Sequence, residues 1–368
     1  LSEEFASALV IDKLTEWGLP FKSGIAKTGI VATIEGDKNT SGKVIGLRAD
    51  MDALNIVEIP NKPHVSRIPG KMHGCGHDGH TAMLLGAAKY FSENRNFNGK
   101  VHLIFQPAEE GGRGAHTMME EGLFQDFPCD QVFGLHNWPD LPRGVVTTRV
   151  GPIMAGVDIF ELNIKGRGGH AAAPHKTIDP VVIGSQIVMA LQTLISRTRK
   201  PIEPAVISVT GFEAGTAAHN VIPEEAKLIG TVRTYDSDLR HELQARIEST
   251  ASAIAQSMGG KITLTYDMII DPTINDAQAT MFCAGVARDI FGDHNVSTEA
   301  NPSMGGEDFG AMMTDIPGCY IWMGQAEPDQ VDCIHNNSLH APDYDFNDEI
   351  IPLGIEYWVR LVEKAMPY

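Results

Sequence analysis

Between Met72 and Ala88 the chain reads MHGCGHDGHTAMLLGAA, and within its first nine residues stand His73, Cys75, His77, Asp78 and His80. Imidazole, thiolate and carboxylate are the groups that hold a divalent metal when they converge. The small, apolar run that follows, Thr81 to Phe91, reads as a helix, which sets the polar cluster on the loop entering its N-terminus. The stretch Gly74-Cys75-Gly76-His77-Asp78-Gly79 also fits the dinucleotide pattern G-x-G-x-x-G. That fingerprint needs a strand directly before it. Pro60 to Lys71 carries three prolines instead and cannot form a central strand.

Placing such groups is the work of the elements around them. An opening helix, Ser2 to Trp17, is stopped by Gly18 and Pro20. Strand-like runs follow at Gly29–Glu35 and Lys43–Leu47, the second running into Arg48-Ala49-Asp50-Met51-Asp52. Lys100–Phe105 is a strand delivering Gln106-Pro107-Ala108-Glu109-Glu110. After a helix around Ala115–Glu121, the strand Gln131–Leu135 delivers His136-Asn137-Trp138. This alternation predicts an α/β fold, a mixed and mostly parallel sheet with helices on both faces, whose functional groups collect beyond the carboxyl ends of the strands. Asp50, Asp52, Glu109, Glu110 and His136 all fall at such ends. Singly, each is as readily a buried or solvated residue. Their joint placement points to a metal.

From Val157 the pattern changes to alternating apolar and polar residues, and Asp179-Pro180 opens a helix to about Arg197 with a capping residue and a first-turn proline. Strands at Ala205–Thr210 and Ala226–Tyr235, a long helix at Ser237–Met258 and a strand at Lys261–Tyr266 complete a β-α-β-β-α-β unit. Residues 157–267 are therefore expected as an inserted α+β lid or dimerisation domain between two parts of a catalytic domain, 1–156 and 268–368. Its open sheet edge predicts a homodimer or higher homo-oligomer. Beyond Asp271-Pro272 come a helix at Ala277–Phe291, the segment Ser303 to Gly310, a strand at Cys319–Met323, the run Asn336 to Pro342, and a C-terminal helix, Ile350–Ala365.

With 368 residues, 43% of them hydrophobic, the chain can fill two cores. A net charge of −18 speaks against nucleic acid as a partner, because phosphate backbones are bound by Lys and Arg. An anionic small molecule stays open, since one local arginine can reverse the field inside a cleft. No run of 18 apolar residues is present, so no membrane association is expected. Five scattered cysteines and no basic-then-apolar leader suit a reducing, cytoplasmic location. The chain begins at Leu1 rather than at a methionine, from which an upstream piece is expected.

Seven segments then carry a resemblance: Gly46-Leu-Arg-Ala-Asp-Met-Asp-Ala-Leu54, Met72 to Ala82, Phe105-Gln-Pro-Ala-Glu-Glu-Gly111, Gly134-Leu-His136, Gly166-Arg-Gly-Gly-His-Ala-Ala-Ala-Pro-His175, Asn220-Val-Ile-Pro223 and Asn337-Ser-Leu-His340. In that order, and over nearly the whole chain, they resemble the metal-dependent aminoacylase and carboxypeptidase family, most of all its branch of hippurate hydrolases, N-acyl-amino-acid amidohydrolases and auxin-conjugate hydrolases. Two departures stand out. The family begins with a basic helix ending near a His-Pro pair, a point after which this sequence starts, and Asn55 stands where relatives often carry proline.

The resemblance implies a hydrolase with two divalent metal ions per subunit, held by Cys75, His77, Glu110, His136 and His340, with Cys75 bridging where relatives use aspartate. Zinc suits such donors, with manganese, cobalt and nickel as alternatives. Glu109 would be the general base and later acid. Asp52 would orient a ligand, with Asp50 assisting; Asp78 and His80 would cap the helix or support the ligands. His170, with His175 as the weaker rival, would reach a partner subunit's site and stabilise the oxyanion. Asn220 and Arg233 would clamp the substrate carboxylate, with Gly305, Gly306 and Glu307 on the floor of the cleft. The implied substrate is a small N-acyl or N-aroyl amino acid. A dipeptidase or a deacetylase of an acetylated diamino acid is the alternative within the family. A metal-binding protein without turnover is disfavoured, because such a protein has no use for the base Glu109.

Overall fold

A computed structural model of the chain describes residues 3–60, 62–111, 113–330 and 333–368. Ser2, where the sequence places the start of the first helix, lies outside them. The chain forms two compact units, one of Leu1–Ile153, Thr273–Pro302 and Asp308–Tyr368, the other of Met154–Pro272 with Ser303–Glu307.

The larger unit opens with α1 (Glu4–Glu16), β1 (Phe21–Ile25), β2 (Gly29–Glu35) and β3 (Val44–Asp50). It continues through α2 (His77–Glu93), β4 (Lys100–Gln106), α3 (Gly114–Glu120), α4 (Leu123–Asp126), β5 (Gln131–Pro142), β6 (Val146–Thr147) and β7 (Gly151–Met154). The smaller unit holds β8 (Gly156–Lys165), β9 (Gly169–His170), α5 (Pro180–Ser196), β10 (Ala205–Ala214), β11 (Val221–Ile222), β12 (Glu225–Thr234), α6 (Ser237–Ser257) and β13 (Lys261–Ile270). The larger resumes with β14 (Thr273–Asn275), α7 (Ala277–Phe291), β15 (Val296–Ser297), β16 (Gly318–Ala326) and α8 (Ile351–Ala365).

The large sheet has the order β1-β2-β4-β3-β5-β16-β6-β15. Strands β4, β3, β5 and β16 run parallel, whereas β1, β2 and β4 pair antiparallel with one another in turn. The parallel strands are near-continuous apolar runs, as burial on both faces demands. Because β4 and β5 lie on opposite sides of β3, the connections diverge there, and a crevice opens beyond the carboxyl ends of these strands. The strands depart from the sequence expectation in several places. Strand β1 was not foreseen, since Phe21–Ile25 alternates weakly, and β5 runs on to Pro142 instead of stopping at Leu135.

Helix α2 matters most, since its first turn belongs to the metal-rich motif. It starts at His77 rather than Thr81, after Gly76 at φ 87°, so His77, Asp78 and His80 are helical and not in the loop. Its far side is fixed by α8. A Cβ on Gly354 would collide with Met83, and one on Gly86 with Ile355, so two glycines let the helices approach closely. Trp358, Val362 and Phe91 fill the same core, each large apolar side chain contributing about 1.5–3 kcal/mol by burial.

The smaller unit is an antiparallel sheet, β10-β12-β8-β13, with its own core from Phe160, Leu162, Ile187, Leu191, Leu243 and Ile247. The Asp179 side chain caps α5 by accepting from the N–H groups of Val181 and Val182, with Pro180 in the first turn. Ser303–Glu307 joins this unit through the backbone: Ala155 N–H donates to Ser303 and Gly305 carbonyls, at 3.1 and 3.0 Å.

Candidate metal centre

Three strands of the larger unit and two loops supply the site. β3 carries Arg48 and Asp50 to its buried end, with Asp52 just beyond. The chain before α2 brings Cys75 beside His77, and the positive φ of Gly76 makes the turn possible; a Cβ there would strike Asn137. Past β4, Ala108 (φ 52°) and Gly111 (φ 76°) both take the left-handed conformation, and Gly114 N–H closes the turn on Ala108 O at 3.0 Å. That tight loop presents Glu109, which is buried, and Glu110. β5 delivers His136, and His340 comes from the loop before α8, where its N–H donates to Gly74 O at 2.7 Å. His340 itself sits at φ 65°, a conformation few non-glycine residues adopt.

The donors gather as two triads that share one atom. The ligand atoms of Cys75, His77 and His136 lie within 4.8 Å of one another, and so do those of Cys75, Glu110 and His340. Cys75 Sγ is 3.4 Å from His136 Nε2, and His340 Nε2 is 3.0 Å from Glu110. Glu109 falls within the same 4.8 Å spacing of His77 and Glu110.

Hydrogen bonds decide which ring nitrogens face this space. His136 Nδ1 lies 2.6 Å from Asn137 O, and His77 Nδ1 lies 3.1 Å from Asp52 O. A carbonyl only accepts, so both Nδ1 atoms carry a proton, and in the neutral ring the lone pair is on Nε2. His77 Nε2 is buried without a hydrogen-bond partner among the described residues. A buried nitrogen lone pair beside a thiol and two carboxylates is a donor set that fits a dication.

The electrostatics show a cluster that draws positive charge: burial opposes it, yet Asp50 and the hydrogen bond to Asp52 hold His77 well above the usual imidazole range, a proton that a bound dication would displace. Burial and the neighbouring His80 hold His136 well below the usual imidazole range, so it is neutral. Contact with Cys75 and with Glu110 pushes His340 up to about 10, a sign that the cluster attracts positive charge. Burial pushes the Cys75 thiol up, a direction that adjacent dications would reverse.

A second layer lies behind these donors. Asp50 has both oxygens occupied, one 2.6 Å from His80 Nδ1 and the other accepting from Arg48 at 2.7 Å. Burial opposes its charge, yet His77, Arg48 and His80 together hold it well below the carboxylate range. His80 Nε2 meets the Asn137 side chain at 2.7 Å, and Asn137 donates to Gln325 and to Tyr344 Oη at 2.7 and 2.8 Å. With both nitrogens engaged, His80 is a support and not a free donor, and Asp78 is exposed. Arg48 and Asn137 were not singled out from sequence. A guanidinium inside the apolar run Val44–Asp50 was the available signal, since arginine is rarely fully buried unless paired.

Asn220, Arg233, His170, His175, Gly305, Gly306 and Glu307 belong to the smaller unit. His170 and Asn220 are neighbours there: Ala171 N–H donates to Asn220 O at 3.0 Å, and His170 pairs with Val221. His170 is exposed, and its Nδ1 accepts from Ala172 N–H at 3.0 Å, which leaves the proton on an outward Nε2. Arg233 is half-buried on β12, donating to Thr231 Oγ1 at 3.1 Å. His175 sits exposed in a short turn of 3-10 helix. Gly306 packs so closely on Val157 that no side chain fits, whereas Gly305 is exposed.

The sequence pattern of peptidase family M20/M25/M40 matches residues 46–364. The chain belongs to this family. Hippurate hydrolase of Campylobacter jejuni is 39% identical over 97% of this chain and 90% of its own length. An N-acetylcysteine deacetylase of Bacillus subtilis is 37% identical over 91% of the chain and 84% of its own, and an IAA-amino acid hydrolase of Arabidopsis thaliana 38% identical over 98% and 81%. Among solved structures, a Bacillus subtilis protein described as a dinuclear metal binding peptidase of the M20 family superposes with a TM-score of 0.82 at 33% identity, covering 98% of this chain and 91% of that one. Among the described residues no helix is long and apolar enough to cross a membrane.

Proposed function

We propose that the protein hydrolyses the amide bond of N-acyl and N-aroyl amino acids, using two divalent metal ions held by Cys75, His77, Glu110, His136 and His340. The observation that supports this most is the sharing of Cys75 by two donor triads, with Glu109 beside them. The hippurate and IAA-amino acid hydrolase relatives point the same way. Zinc or manganese fits thiolate, imidazole and carboxylate donors, with cobalt and nickel as alternatives.

Bound dications supply a water of lowered pKa and polarise the scissile carbonyl. Glu109 takes the proton of the attacking water and later returns it to the leaving amine nitrogen, so water and amide become a carboxylic acid and an amine. Asp52 orients His77. His170 donates its outward Nε2–H to the developing oxyanion of a second copy's site, in a homodimer formed through the smaller unit. Asn220 and Arg233 hold the substrate carboxylate, with Gly305 and Gly306 on the floor of the cleft. A second reading, removal of an acetyl group, is favoured by the N-acetylcysteine deacetylase relative.

The test is a comparison of N-benzoylglycine with its C-terminal carboxamide. The free acid is cleaved and the carboxamide far less, and Arg233→Ala narrows that gap. Equal losses on both substrates would sink the carboxylate clamp, and no cleavage of any N-acyl amino acid would sink the enzyme.

A further inference from the structure

Beside the ligand His136 lies a pair of indoles that the chemistry above does not use. β5 and β16 run parallel in a register that sets Trp322 opposite His136 and Gly324 opposite Trp138. Cross-strand partners share a face of a sheet, as do residues two apart on one strand. His136, Trp138, Trp322 and Tyr320 therefore project to the same side, and the ring positions agree. Trp138 stacks on Trp322 with centroids 4.1 Å apart and planes 15° from parallel. The His136 imidazole is 6.1 Å from the Trp138 ring and 6.4 Å from that of Tyr320.

The two indoles differ in exposure. Trp322 is 4% exposed, and its Nε1 has no hydrogen-bond partner among the described residues. Trp138 is half-buried. Shielding His136 would need only an aliphatic side chain; an indole on a half-buried residue next to a ligand leaves apolar surface for something else to cover. Gly324 stands across from Trp138 where a Cβ would strike the Leu141 and Pro142 carbonyls, so the two strands approach closely there, and the Trp138 ring lies stacked on Trp322. Stacked or edge-on contact with a second ring is the interaction such a surface rewards.

We infer that Trp138, backed by Trp322, is the specificity-determining wall of the acyl pocket, and that it selects a flat aromatic acyl group, of the benzoyl or indolyl-acyl class, over acetyl. This inference rests on the amide-hydrolase reading above and decides between its two substrate classes. Trp138 acts on binding of the acyl side, not on proton transfer, so its removal changes the choice between substrates.

The experiment measures kcat/KM of the metal-replete protein for N-benzoylglycine and N-acetylglycine, in the wild type, Trp138→Leu, Trp138→Met and Trp138→Phe. The wild type favours the benzoyl substrate. Losing the ring lowers the benzoyl-to-acetyl ratio about tenfold in the Leu and Met variants, and Phe recovers most of it. Benzoate binding, followed by calorimetry, weakens in step. Should Leu impair folding, Met keeps the apolar bulk and gives the same comparison. An unchanged ratio in either folded variant, or a wild type that favours acetyl, overturns the inference while leaving the amide hydrolase intact. If no substrate is cleaved, the functional reading fails instead, and equal benzoate affinity in wild type and Trp138→Met overturns the aromatic wall independently.

Discussion

The carboxylate of Asp52 lies 3.1 Å from Nδ1 of His77, and this contact, with the Asp52 carbonyl, turns the lone pair of His77 Nε2 towards Cys75. The other oxygen of Asp52 accepts the backbone N–H of Glu110 at 2.8 Å. One carboxylate thus orients a donor from each triad. Asp52→Ala removes both bonds, and metal affinity falls about 10- to 100-fold, as for other groups that orient ligands. Competition with a chelator measures it; unchanged affinity would mean that the Asp52 carbonyl and packing suffice to hold His77.

The smaller unit has its own buried charge. Arg240 donates to Asp158 at 2.9 and 2.6 Å and to Asp271 at 2.6 Å, while Tyr266 Oη donates to Asp158 at 2.7 Å. Arg240 and Asp158 are almost wholly buried. Arg240→Ala strands the Asp158 charge, and about 3 kcal/mol of stability is lost, as when a buried pair loses one member. Urea unfolding reads the loss. A change below about 0.5 kcal/mol, the scale of an ordinary surface substitution, would show that Tyr266 alone compensates Asp158.

A pH dependence follows from His102 on β4. Burial, with Lys100 nearby, lowers it to about 4. Its unfolded value is about 6.5, so between pH 6.5 and 4 the unfolded chain binds the extra proton. Stability is complete above pH 6.5 and declines as pH falls towards 4, by up to roughly 3 kcal/mol from this group. Replacing it with an uncharged side chain, His102→Gln, flattens that part of the stability profile. An identical slope in both proteins would place the proton uptake elsewhere.

Much of this was legible in the sequence because it is local. Strand ends followed by polar residues gave the shared meeting place of Asp50, Glu109 and His136, and the family resemblance named the M20 type of hydrolase to which the chain belongs. Long-range facts were not legible. The pairing of Gly74 O with His340 N–H, the closure of two sheet edges by antiparallel strands, and the stacking of Trp138 on Trp322 arise from register between segments distant in sequence. The start of α2 was set four residues late, because Gly76 permits a left-handed turn that periodicity alone does not reveal.

The most direct measurement is titration of metal-free protein with Mn2+ or Zn2+ while hydrolysis of N-benzoylglycine is followed. Because Cys75 serves both triads, activity is expected to rise until two equivalents per chain are bound and then level off. Saturation at a single equivalent would contradict the dinuclear centre, and absence of hydrolysis at every loading would contradict the amide hydrolase itself.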